Sequence, residues 1–166
     1  GKGFGKLIVN THPSTAMPFQ VESAQIGAEY WKRELGLDVE VKVGEWDSLK
    51  KRRNSGELNG QLLWRDNETR RDATSNVSNE YSDPKIPSRM HSNPELFRVV
   101  NETFQIVDEG KRAEATKQLY VQLRDESYWI AVGYVNIPWG VGPRVVTWRP
   151  YALASFPTAL HTITLK

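Results

Sequence analysis

The order of patterns between Leu7 and Arg65 constrains this chain most: strand, helix, strand, helix, strand, joined by short turn-rich segments. Leu7-Ile8-Val9 is a β-rich run, and Asn10 to Ser14 are turn formers. Val21, Ala24, Ala28, Trp31 and Leu35 then recur at steps of three and four, the apolar stripe of a helix. Gly36 follows where a left-handed C-terminal cap belongs. Asp38 to Val43 alternates, with Val39, Val41 and Val43 on one side and Glu40 and Lys42 on the other, a strand with one wetter face. Glu45-Trp46-Asp47 and Lys50-Lys51-Arg52-Arg53 put acids at the start and bases at the end of a short helix, which complements its dipole, and Gly56 ends it. Gln61 to Trp64 is the third strand. Strands separated by single helices run parallel with right-handed crossovers, so the class is α/β.

The rest of the chain is less regular. Asp66 to Ser92 is polar throughout, without helical or strand period, and reads as a long loop across a ligand site, with a mobile surface excursion as the alternative. Asn93-Pro94-Glu95 is a strong helix start, with a capping Asn, a proline at the first position and an acid in the first turn. Phe97, Val100, Phe104 and Val107 are the expected buried stripe of that helix, and Asp108-Glu109-Gly110 breaks it. A second helix carries Arg112, Thr116, Leu119 and Leu123 along one side, with Tyr120 beside them. Tyr128 to Val135 is nearly all apolar, as in a strand covered on both faces. Arg144 to Trp148 and Thr162 to Leu165 are two weaker strands, and Asn136 to Pro143 is irregular.

Composition excludes more than it selects. The 166 residues fit one domain, long enough to bury roughly 70% of its unfolded surface without staples. A net charge of +2 is too small to argue for nucleic acid or a membrane surface. The basic run Lys50 to Arg53 has no interleaved aromatic residues, so it reads as a solvated helix end. With no cysteine, disulfides, zinc–thiolate sites, iron–sulfur clusters and thiol catalysis are ruled out. The chain starts at Gly1 without methionine, which reads as a processed protein or a piece of a larger one, with Gly1 to Gly5 as its linker.

No catalytic signature is present: no G-x-S-x-G elbow, no phosphate-binding P-loop and no H-E-x-x-H helix. His12, His91 and His161 each lie near a turn or strand edge without a second ligand at metal spacing, so each reads as a surface or satisfied histidine. No catalytic or metal-ligating residue is assigned, and no cofactor is expected. A binding signature remains, because ligands sit at the C-terminal ends of strands in open α/β sheets. Those ends offer His12 and Ser14 after the first strand, Trp46 after the second, and Trp64 with Asp66 and Asn67 after the third. A tryptophan provides an apolar platform and a carboxylate pairs with an ammonium group. Trp64 also has a competing reading as core, with Asp66 capping a turn.

The wording of these elements resembles the peptide-class solute-binding proteins of ABC importers. Ala28-Glu29-Tyr30-Trp31-Lys32-Arg33-Glu34-Leu35-Gly36-Leu37-Asp38-Val39-Glu40-Val41 is similar to that family's helix–strand step. So are Glu45-Trp46-Asp47 followed by Arg53 to Leu58, Asn93-Pro94-Glu95-Leu96, Lys111-Arg112-Ala113 through Ile130, and Arg144-Val145-Val146, in the same order. The resemblance implies a type II periplasmic-binding-protein lobe: a single α/β lobe over 1–166, with a mixed sheet flanked by helices. It would be the C-terminal part of a larger two-lobed protein, and 66–92 would face the cleft. The family's Trp, then Asp, then Asp-Pro is matched by Trp64 and Asp66 at tighter spacing, with Asp-Pro only at Asp83-Pro84. Arg65, Arg70 and Arg71 add positive charge, which leaves room for an anionic or sugar ligand.

The ligand-binding residues this implies are Trp46, Trp64, Asp66, Asn67, Tyr81 and Asp83. The implied partners are a peptide or other small solute, a membrane permease and an N-terminal lobe of the same protein, outside the cytoplasm, with no nucleic acid. The competing readings are a ligand-sensing regulatory domain of the same fold and a carboxylate-dependent hydrolase.

Overall fold

A computed structural model of the chain describes residues 5–65, 73–81, 93–133, 138–150 and 158–166. The first stretch is the expected β-α-β-α-β unit: β1 (Leu7–Thr11), α1 (Gln20–Leu35), β2 (Val39–Val43), α2 (Trp46–Asn54) and β3 (Leu62–Leu63). The three strands form one parallel sheet in the order β2-β1-β3. β1 pairs with β2 from Leu7↔Val39 to Thr11↔Val43, and with β3 only at Val9↔Leu62 and Asn10↔Leu63.

Side-chain alternation sorts these strands into two faces. Leu7, Val9, Val39, Val41, Leu62 and Trp64 lie on the face that packs against Ala28 and Trp31 of α1. Gly36 ends α1 at φ 64°, the left-handed conformation that glycine adopts without a Cβ penalty. Asn10, on the opposite face, is fully buried. Its amide donates to Gln61 Oε1 at 2.8 Å and to the Leu62 carbonyl at 3.3 Å, so a polar side chain of the central strand pins the short third one.

The second part is helical. Among the described residues, α3 (Ala73–Tyr81), α4 (Pro94–Gln105) and α5 (Glu109–Asp125) close around Val77, Tyr81, Leu96, Phe97, Val100, Leu119 and Leu123. The α4 start is as expected: the Asn93 side chain accepts from the Glu95 and Leu96 amides, and Pro94 opens the helix. Asp108 caps α5 through the Lys111 amide.

Three expectations are corrected here. The stretch 66–92 is not all loop, because Ala73–Tyr81 is a helix. Its polar composition hides a narrow stripe, Thr74, Val77 and Tyr81 at steps of three and four, and that stripe is buried. The α4 stripe is Leu96, Phe97, Val100 and Thr103; Phe104 is 50% exposed and Val107, beyond the helix end, is 92% exposed. The helix turns Phe104 away from α3 and α5, and Val107 stands past its last turn. The described part of the apolar run, Tyr128 to Gly133, forms no strand: Tyr128 and Trp129 pack on the helical core, while Ile130 and Val132 are 59% and 65% exposed. An apolar run becomes a buried strand only where a sheet receives it, and neither described sheet does so.

The last part is a small antiparallel pair, β4 (Val145–Thr147) with β5 (Thr164–Leu165), with a 3₁₀ turn at Leu160–Thr162 just before β5. Parallel and antiparallel pairing therefore occur in two separate sheets among the described residues. No described helix is long and apolar enough to cross a membrane.

Candidate ligand site at the strand ends

The C-terminal ends of the three parallel strands meet at one rim. His12 follows β1, Trp46 opens α2 just after β2, and Arg65 follows β3. The His12 and Trp46 ring centroids are 4.8 Å apart with the planes tilted by 38°. The Arg65 guanidinium lies 5.8 Å from the Trp46 ring centroid, and that of Arg53 lies 5.6 Å away. Both distances are within the range of cation–π attraction. Trp46 is thus the hub of the rim, half-buried, with an imidazole and two guanidiniums about its ring.

Local structure explains each position. Arg53 stands seven residues after Trp46, two helical turns, so both lie on one face of α2. Arg65 alternates with Trp64 and so leaves the sheet on the side away from α1. His12 is only 7% exposed. Its Nδ1 sits 2.9 Å from the Pro13 carbonyl, which can only accept, so Nδ1 is the donor of that bond. The backbone carbonyl of His12 accepts from Gln20 Nε2 at 2.7 Å, which ties the β1–α1 turn to the start of α1. Two buried oxygens near the strand end, Asn10 Oδ1 and Thr11 Oγ1, have no hydrogen-bond partner among the described residues.

Trp64 sits differently. Its backbone amide donates to the Asn10 carbonyl at 2.8 Å, extending the β3 ladder by one bond. Its indole Nε1 donates to Ser23 Oγ at 2.9 Å, and its ring packs edge-on to Trp31 at 5.9 Å. The half-buried Trp64 is therefore largely a packing residue of the α1 face. Tyr81 is 2% exposed in the helical core, with Tyr128 at 6.2 Å and Trp129 at 5.6 Å between ring centroids. Its ring belongs to the helical packing and not to the rim. Asp66, Asn67 and Asp83 lie outside the described residues, as do His91, Arg70 and Arg71.

Sequence reasoning places both His12 and Trp46 at strand ends, though it reads His12 as a surface or satisfied histidine as far as metal binding goes, and Arg53 as a solvated helix end. The seven-residue spacing of Trp46 and Arg53 is the available signal. Nothing in the local pattern around His12 announces the ring contact, which depends on how β1 and β2 pair. Among the described residues no group of three His, Asp or Glu side chains could hold a metal ion.

An apolar hollow of about 220 Å³ lies elsewhere, on the β4–β5 pair, lined by Trp139, Val145, Trp148, Leu160 and Ile163. Trp139 and Trp148 meet edge to face at 5.3 Å.

No protein-family model matches the chain, and no curated protein does. Solved structures do. An oligopeptide-binding protein of Borrelia burgdorferi, OppAIV, superposes with a TM-score of 0.60 and 20% identity over 77% of this chain and 25% of that one. The fold is that of a type II periplasmic-binding-protein lobe. The Escherichia coli murein tripeptide binding protein MppA matches at a TM-score of 0.57 and 19% identity, over 75% of this chain and 25% of its own. OppA of Burkholderia pseudomallei matches at 0.55 and 19%, over 72% of this chain and 23% of that one. The chain thus spans about a quarter of the length of these structures. In this fold the strand-end rim is the edge where ligands of open α/β sheets sit.

Proposed function

We propose that this chain is part of the substrate-binding component of an ABC import system. It takes an oligopeptide or related small solute in a cleft between two lobes and delivers it to a membrane permease on the outer side of the membrane. The observation that carries this reading is the convergence of three strand ends on the Trp46 ring, with His12, Arg53 and Arg65 around it. The names of the solved proteins with this fold, oligopeptide-binding and murein tripeptide-binding, support the same solute class. The chain acts by binding, and no catalytic step is assigned to it.

In this reading Trp46, with His12, Arg53 and Arg65 about its ring, forms one wall of the cleft, and Trp64 supports that wall from the α1 side. Asp66, with Asn67 and Asp83, takes the solute's ammonium group, and a second lobe of the same protein closes the other side by hinge motion. Calorimetric titration of the full protein with tri-alanine tests it. Binding is expected, and Asp66→Ala should weaken it by about 1.5–3 kcal/mol, the scale of a hydrogen bond to a charged group. Unchanged affinity in that variant rejects the role of Asp66. Binding by neither peptides nor other small solutes rejects the reading as a whole.

A further inference from the structure

The third strand of the sheet is short for what it has to do. β3 has two residues in the ladder, plus the Trp64 amide bond to Asn10, yet it delivers Arg65 to the rim. Its orientation needs a second anchor, and α1 supplies one. Ser23 and Gly27 are four residues apart and so are neighbours on one face of the helix. The Trp64 indole lies across both.

Each contact is chemically specific. The Ser23 hydroxyl donates its one proton to the Gln20 carbonyl at 2.7 Å, so its lone pairs are left to accept, and the Trp64 Nε1–H points at them from 2.9 Å. At Gly27 the six-membered ring occupies the space a side chain would need. A Cβ there would lie 2.7 Å from Trp64 Cη2 and 2.9 Å from Cζ3, closer than real Cβ atoms come. Gly27 is therefore required for room and not for backbone freedom. The two residues form a cradle matched to the length of one indole: an acceptor for the nitrogen end and a slot for the benzene end.

We infer that Ser23 and Gly27 are positioning residues for the ligand rim. They hold Trp64 flat on α1, and because side chains alternate along a strand, this turns Arg65 to the other face, beside Trp46. Neither residue touches the rim cluster of His12, Trp46, Arg53 and Arg65; both act through Trp64. The inference deepens the solute-binding reading and rests on it for the effect on affinity, while the cradle itself is tested without ligand.

The experiment uses the full protein with two readouts: the indole N–H resonance of Trp64 without ligand, and the calorimetric affinity for tri-alanine. Ser23→Ala should move the Trp64 indole proton upfield and weaken tri-alanine about fivefold, the scale of one hydrogen bond. Ser23→Thr, which keeps the hydroxyl, should restore both. In a Trp64→Phe background, where no indole N–H exists, Ser23→Ala should change affinity no further. If Ser23→Ala costs as much in that background, the serine acts through the helix and the inference falls. If the resonance stays in place in Ser23→Ala, the cradle does not exist. If native protein binds tri-alanine and Ser23→Ala binds it equally well, the positioning role fails while the solute-binding reading stands. If native protein binds no peptide, that reading fails and the rim role of Ser23 fails with it. The unliganded resonance then still decides whether the cradle holds Trp64.

Discussion

The sheet half and the helical half of this chain bury apolar groups to different ends. In the helical half, α3, α4 and α5 close on themselves: Tyr81, Leu96 and Leu123 are sealed by neighbours from all three helices and by Tyr128 and Trp129. In the sheet half one face is sealed under α1, while the strand ends stay open and carry an aromatic ring between an imidazole and two guanidiniums. The same chain therefore contains a core closed on itself and an edge where charged and aromatic groups converge. Burial alone does not separate them; the deciding feature is whether charged groups converge where the packing stops.

Separate roles make separable effects. Leu123→Ala in the helical core should cost the most, about 2–5 kcal/mol of stability by urea unfolding, from lost transfer energy and the cavity left behind. Affinity of the folded fraction for tri-alanine should not change. A parallel loss of affinity would break the comparison, because the helical core would then shape the rim as well. Gly27→Ala comes next, at about 1–3 kcal/mol by the same measurement, since the methyl must displace an anchored tryptophan. Here affinity should fall as well.

Asn93→Ala removes the α4 cap, which accepts from two backbone amides, and should cost about 1 kcal/mol without touching the rim. The smallest effect is electrostatic. The Arg98 guanidinium, hydrogen-bonded to Glu95, holds that carboxylate below the usual glutamate range. Its contribution is therefore present above the unfolded value and is lost as pH falls through the lowered folded one. Both groups are exposed, so the stability difference between the native protein and Glu95→Gln should be slight, present at neutral pH and gone once the pH has fallen below the ordinary glutamate range.

The sheet half is the more legible of the two in sequence. Its periods are local: the stripe Val21 to Leu35, the alternation Val39 to Val43, and Gly36 at the helix end each follow from spacing, and the parallel pairing follows from the intervening helices. The helical half is legible where capping chemistry is local, at Asn93-Pro94 and Asp108. It is hidden where burial depends on neighbours, as in α3, whose Thr74, Val77 and Tyr81 are too few to show a stripe among polar residues. The run from Tyr128 misleads for the same reason in reverse, since apolar character does not say whether a sheet is there to receive it. At the site, His12 and Trp46 can each be read from their places after strands, but that their rings meet, and that Arg65 joins them, depends on strand pairing.

The central claim is that the strand-end rim is the binding wall. Titrating the full protein with tri-alanine while following the six tryptophan indole N–H resonances tests it most directly, because the tryptophans are spread over every part of the chain. The Trp46 resonance is expected to shift with the peptide, while Trp129 in the helical core and Trp148 on the β4–β5 pair stay in place. Shifts at Trp129 or Trp148 with Trp46 unmoved would contradict it.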